Sequence, residues 1–152
     1  MAELTRHELQ FQARMNIRYH ENLERRYGNW LNWTSFVSFI LSSAAFIALL
    51  ETIPYKSWIV AGIALIAALL NGAVLAFGML GKFSLHADLK RQWILLLSRL
   101  QTTPDDRLVD IETELHALNA REPAAERRWL NQAYEETCTA LDLHAVPHTG
   151  GR

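Results

Sequence analysis

Two long stretches without a charged residue, Asn29–Leu50 and Ser57–Gly81, constrain this chain more than any other feature of its sequence. They hold 22 and 25 residues, and a helix needs about 20 mainly apolar residues to cross the hydrocarbon core of a bilayer. Between them lies segment 51–56, where Pro54 prevents either helix from continuing. The sequence therefore predicts an all-α membrane protein with a transmembrane hairpin at residues 29–81, formed by spans 29–50 and 57–81.

An amphipathic helix is predicted ahead of the hairpin, at residues 1–28. Its large apolar residues recur every four positions: Phe11, Met15, Tyr19, Leu23 and Tyr27. This helix could lie on lipid headgroups or pack on the C-terminal helices, and its five large apolar residues favour packing. Gly28-Asn29 predicts a break or kink before the membrane.

A cytoplasmic helical region is predicted at 82–143, followed by a flexible tail at 144–152. Thr103-Pro104 predicts a helix start with Thr103 as the N-cap, and Glu122-Pro123 interrupts the helical pattern. Between these two points, apolar residues at alternating spacings of three and four predict a seam against another helix or another copy. The seam consists of Leu108, Ile111, Leu115 and Leu118.

Basic residues flank both predicted spans. Residues 1–33 carry five Arg, and residues 82–101 carry four Lys or Arg, whereas the connecting segment holds only Lys56. Because Lys and Arg near span ends stay in the cytoplasm, both termini are expected there. The region 102–152 carries ten acidic residues against five Arg, which argues against nucleic-acid binding through a basic surface.

Small and polar side chains recur along both predicted spans. Such residues let helices approach closely in lipid, and Ser or Asn can form hydrogen bonds across the contact. They indicate either packing between spans, within one chain or between copies, or a polar lining for a pore built from several copies. The candidate residues are Ser35, Ser38, Ser42, Ala64, Ala68, Asn71, Gly72 and Ala76.

The sequence contains no pattern typical of an enzyme or a cofactor site. It lacks a Gly-rich phosphate loop, a nucleophile elbow and a zinc-binding HExxH motif. Cys138 is the single cysteine, and the six His are scattered, so no metal site is predicted. His86 is expected to be a surface residue. We therefore expect no enzyme activity, cofactor or metal.

Several of these features together resemble the SLATT family of bacterial two-transmembrane effectors. The resemblance covers residues 5–142. It rests on the leading helix with Arg14, Arg18 and Tyr19, and on the hairpin with its tight loop. It also includes the segment Gly81-Lys-Phe-Ser-Leu-His86 with Trp93 and Leu97, and the later break at Arg121-Glu122-Pro123.

Members of that family are thought to act as pore-forming or membrane-disrupting effectors in antiviral conflict systems. The resemblance implies that this chain sits in the bacterial inner membrane, forms a homo-oligomer and permeabilises the membrane when triggered. The trigger would come from a separate sensor or nucleotide-signalling protein. The alternative is a non-conducting membrane anchor whose cytoplasmic helices recruit a partner protein.

Overall fold

All regular secondary structure in the described part of the chain is helical. The computed structural model describes residues 5–43 and 56–141, and the all-α class is confirmed for these residues. Residues 44–50 of the first predicted span, most of the connecting segment and the C-terminal tail lie outside them. The elements are α1 (Arg6–Ser42), α2 (Lys56–Ala76), α3 (Met79–Thr102), a 3-10 turn (Asp105–Arg107), α4 (Leu108–Asn119) and α5 (Arg127–Ala140).

The chain divides into two compact units. One comprises Met1–Glu24 with Leu85–Arg152, and we call it the polar unit. The other comprises Arg25–Ser84, and we call it the apolar unit. Helices α1 and α3 each contribute residues to both units.

The core of the polar unit is built from one face each of α1, α3 and α4. Its fully buried members are Leu9, Ala13, Trp93, Leu96, Leu100, Ile111 and Leu115. Their spacings of three, four and seven place each set on one side of its helix. Of the two alternatives for the N-terminal helix, packing on the C-terminal helices is the one found. Truncating one of these leucines to alanine typically costs about 2–5 kcal/mol.

Helix α1 continues through Gly28 and Asn29, so the predicted break at this point is wrong. A Cβ atom on Gly28 would lie 3.3 Å from Cε2 of Phe83. That distance is shorter than ordinary van der Waals contact, so Gly28 leaves room for the Phe83 ring. The glycine serves a close approach inside the apolar unit instead of ending a helix.

A break does occur at the end of α2. Gly78 has φ +58°, the left-handed conformation in which glycine commonly ends a helix, and its N–H donates to the Leu75 carbonyl at 3.1 Å. The predicted span 57–81 therefore ends as a helix at Ala76. Among the described residues, Trp58–Ala76 is the one helix long and apolar enough to cross a membrane.

The turn between α3 and α4 differs from the predicted N-cap. The hydroxyl of Thr103 donates to the Arg99 carbonyl at 2.7 Å, which ties it to the end of α3 instead of the start of α4. Pro104 is extended, with ψ 159°, and a 3-10 turn precedes α4. The guanidinium of Arg6 donates to the Leu100 carbonyl at 2.6 Å and to Asp105, so an α1 side chain satisfies the end of α3.

Candidate functional site

A buried cluster of polar side chains lies in the polar unit. His20 comes from α1, His86 and Trp93 from α3, and Glu122 from the segment between α4 and α5. His86 and Trp93 are seven residues apart, so they share one face of α3. His20 is 0% exposed and His86 4%, and the Trp93 side chain is fully buried. The expectation that His86 lies on the surface is therefore wrong.

Four side chains form a continuous chain of hydrogen bonds. Nδ1 of His20 lies 2.9 Å from Nδ1 of His86, and Nε2 of His20 lies 2.9 Å from Oε1 of Glu122. The indole N–H of Trp93 donates to the same Glu122 oxygen at 2.8 Å. The imidazole rings of His20 and His86 are 5.2 Å apart between centroids and tilted by 33°. Each contact joins groups from different elements.

The hydrogen bonds determine where protons lie when Glu122 is ionised. A carboxylate only accepts hydrogen bonds, so Nε2 of His20 carries a proton toward it. One proton lies between the two Nδ1 atoms, on either ring, because two N–H groups cannot face each other across 2.9 Å. The cluster is therefore a carboxylate–imidazole–imidazole chain able to hold and pass protons.

Tyr19 lies beside this chain and contributes one further hydrogen bond. Its ring meets the rings of His20 and His86 edge-on, with centroids 5.1 and 6.3 Å away. Its hydroxyl oxygen accepts the backbone N–H of Glu126 at 3.1 Å. Burial raises the pKa of the Tyr19 phenol above its ordinary value, and the hydrogen bond from Glu126 opposes this shift. Tyr19 therefore stays a neutral phenol.

Further polar contacts surround the cluster in the polar unit. Lys90 of α3 forms an ion pair with Glu24 of α1. The amide of Asn22 donates to Glu136 of α5 at 3.2 Å. The α1 helix thus meets both α3 and α5 through polar groups as well as through the apolar core.

The chemistry of the cluster is proton binding. His20 already has a carboxylate on Nε2 and a second imidazole on Nδ1, so neither ring nitrogen points toward a substrate. Across residues 5–43 and 56–141, no group of three His, Cys, Asp or Glu side chains is arranged to hold a metal ion. What the arrangement can do is take up a proton and pass on the resulting change in contacts.

The predicted residues of the spans lie in the apolar unit. The Ser38 hydroxyl donates to the Asn71 side-chain oxygen at 3.2 Å, which joins α1 to α2. Ser35 is exposed, and the side chain of Ser42 lies outside the described part of the chain. The exposed small residues of α2 are Ala64, Ala68, Gly72 and Ala76.

The predicted seam of α4 faces the core of the polar unit. Ile111 and Leu115 are fully buried, and Leu108 and Leu118 are partly buried against the same cluster. An apolar groove of about 290 Å³ lies beside Leu118, between α3 and α4, with Arg99 and Glu114 paired at its edge.

The histidine cluster was missed by the sequence reasoning because its members are far apart in the chain. His20 and His86 are separated by 66 positions, and His20 and Glu122 by 102. One pattern could have indicated it: Leu9, Ala13, Asn16 and His20 follow a spacing of four, three and four on one face of α1. A polar residue at a core position of such a face needs a buried partner.

Comparisons with known proteins place no relative beside this chain. No family model matches it, and neither the curated proteins nor the solved structures include a match. Function is therefore inferred from the side chains and their surroundings.

Proposed function

We propose that this chain is a homo-oligomeric effector of the bacterial inner membrane that permeabilises the membrane when a partner triggers it. The observation that carries the proposal is the surface of α2. The span-length segment Trp58–Ala76 has a mean hydropathy of 2.4, and none of it is buried inside the single chain. A helix of this composition needs lipid or other helices around it.

Large apolar side chains of the apolar unit support lipid contact. Trp58 is 82% exposed, Trp33 66% and Phe39 70%. Soluble monomers rarely display contiguous apolar surface of this kind. Tryptophans at Trp30, Trp33 and Trp58 also suit the membrane–water interface, where aromatic rings with a polar N–H are enriched. We infer a two-span hairpin with both termini in the cytoplasm.

The small residues of α2 support assembly. Ala64, Ala68, Gly72 and Ala76 are exposed, and a Cβ atom on Gly72 would meet nothing within 4 Å in the single chain. In lipid, a row of small residues allows the backbone of a second helix to approach closely. Because two spans cannot enclose a water-filled path, permeabilisation would require this assembly. The resemblance described above supplies antiviral defence and a separate sensor or nucleotide-signalling partner.

A second candidate is a non-conducting membrane anchor whose cytoplasmic helices recruit a partner. The hydrogen bond between Ser38 and Asn71 favours it, because this bond uses the Asn71 oxygen inside the chain instead of leaving it to line a pore. Interhelical hydrogen bonds of this kind contribute about 0.6–2 kcal/mol. Under this candidate, Asn71 serves packing alone.

Substitution of Gly72 tests assembly, since its side of α2 is open in the single chain. Gly72→Ile should shift the detergent-solubilised particle to a smaller size by light scattering, and overexpression should no longer depolarise cells. Gly62→Ile is the matched control, because Gly62 is equally open but lies about 80° around the helix from Gly72. It should behave like the wild type. A wild-type protein that is strictly monomeric would refute both assembly and the pore.

Asn71→Leu then separates the two candidates. An effector whose pore includes Asn71 should depolarise cells less when the amide is lost, while its oligomers persist. Unchanged depolarisation with intact oligomers would remove Asn71 from any pore. A wild-type oligomer that leaves the membrane potential unchanged even after co-expression with its activated partner would support the anchor.

A further inference from the structure

The segment between α4 and α5, residues 120–126, is held on the polar unit by the buried cluster. We call this segment the connector. Through Glu122 it accepts hydrogen bonds from His20 and Trp93, and through the N–H of Glu126 it binds the Tyr19 hydroxyl. A further hydrogen bond, from Arg121 to Gln92, is solvent-exposed.

The contact between the two histidines limits how many protons the cluster can hold. With Glu122 ionised, Nε2 of His20 carries a proton, and one more lies between the two Nδ1 atoms. If both rings were imidazolium, each Nδ1 would carry its own proton, and two N–H groups would face each other across 2.9 Å. The intact contact is therefore compatible with no more than one charged ring.

Burial sharpens this limit. His20 and His86 have almost no exposed surface, and an uncompensated charge in such surroundings is costly. The charged groups around the pair are the carboxylates of Glu122 and Glu126, together with the Glu24–Lys90 ion pair, while Tyr19 is neutral. Glu122, in direct contact with His20, can offset one positive charge, but a second would have to sit against the first.

We propose that the histidine pair is a proton-operated switch on the connector. While the pair carries no more than one positive charge, His20 stays in contact with Glu122 and the connector stays on the core. When both rings are protonated, the Nδ1–Nδ1 contact opens and water enters the cluster, so the connector is released. Histidine is the side chain that ordinarily changes charge between pH 5 and 8, so mild acidification is the stimulus.

Hydrogen exchange of the full-length protein in lipid nanodiscs tests this switch. His86→Asn is the central variant, since the Asn amide occupies the place of Nδ1 and can either donate to His20 or accept from it. At pH 7.5 the connector should exchange equally fast in wild type and variant. At pH 5.5 the wild-type connector should exchange at least about fivefold faster than the variant. Comparing proteins at one pH cancels the chemical exchange rate.

Two further variants make the test independent of whether His86→Asn folds. Glu122→Gln keeps an oxygen acceptor for both His20 and Trp93 but removes the charge that offsets a protonated ring. Its connector should therefore open at a higher pH than the wild type. His116→Gln changes an exposed histidine of α4 and should behave like the wild type at both pH values. Connector exchange that is equal in wild type and His86→Asn at pH 5.5, or unchanged in Glu122→Gln, would overturn the proposal.

Discussion

Glu122 accepts two hydrogen bonds through the single oxygen Oε1, one from an imidazole and one from an indole. Its side chain is 15% exposed, so the carboxylate is only partly hydrated. Hydrogen bonds to a charged group contribute about 1.5–3 kcal/mol each. At the scale of single residues, this oxygen links α1, α3 and the connector.

Tyr19 gives a prediction about alkaline pH. Burial raises the pKa of its phenol in the folded protein, so above about pH 10 the unfolded chain loses this proton first. The stabilisation from neutral Tyr19 is complete below that pH and is lost as pH rises through the folded-state pKa. Tyr19→Phe lacks the ionisable group, so its free energy of unfolding should fall less steeply above pH 10 than that of the wild type.

Denaturant unfolding of the full chain in detergent micelles, between pH 8 and pH 11, measures this difference. Loss of the hydrogen bond to Glu126 should make Tyr19→Phe less stable by about 1 kcal/mol at pH 8. The gap to the wild type should then narrow as pH rises. A gap that stays constant across the range would show that Tyr19 does not retain its proton through burial.

What the sequence could predict at this scale depended on local spacing. Tyr19 and Leu23 stood out by their four-residue repeat, and both are buried. His20 did not stand out, because a histidine is buried only when a partner is available, and its partners lie on other elements. Tertiary pairing of polar groups is not encoded in the period of one helix.

At the scale of elements, glycine positions show the same distinction. Gly28 and Gly78 are both single glycines in apolar surroundings. Gly28 lies inside α1 beneath the Phe83 ring, whereas Gly78 ends a helix with φ +58°. Composition alone cannot tell a glycine that admits a neighbouring ring from one that adopts a left-handed conformation.

Gly78→Ala is expected to destabilise the apolar unit. A Cβ atom in the left-handed conformation costs about 1–2 kcal/mol, and nothing within 4 Å of this position would offset it. Gly81→Ala is the matched control, because Gly81 is helical and equally open. It should be neutral or stabilising by up to about 1 kcal/mol. Thermal unfolding midpoints in micelles measure both, and equal midpoints for the two variants would contradict the role given to Gly78.

Across the whole molecule, helix type and approximate helix position followed from hydrophobic periodicity and from Pro and Gly positions. The later helices were predicted on either side of Glu122-Pro123, and α4 and α5 lie there. The grouping of the N-terminal part of α1 with α3, α4 and α5 needed the structure. That grouping depends on contacts between residues about 100 positions apart, such as Arg6 with Asp105.

The central claim is that residues 29–81 form a two-span hairpin with both chain ends in the cytoplasm. Cysteine accessibility in intact cells tests it most directly. Cys138→Ser removes the native thiol, and Ile53→Cys or His148→Cys then places a single thiol in the connecting segment or the tail. A membrane-impermeant maleimide should label Ile53→Cys from outside and His148→Cys only after lysis. Outside labelling of His148→Cys, or labelling of Ile53→Cys only after lysis, would contradict the hairpin.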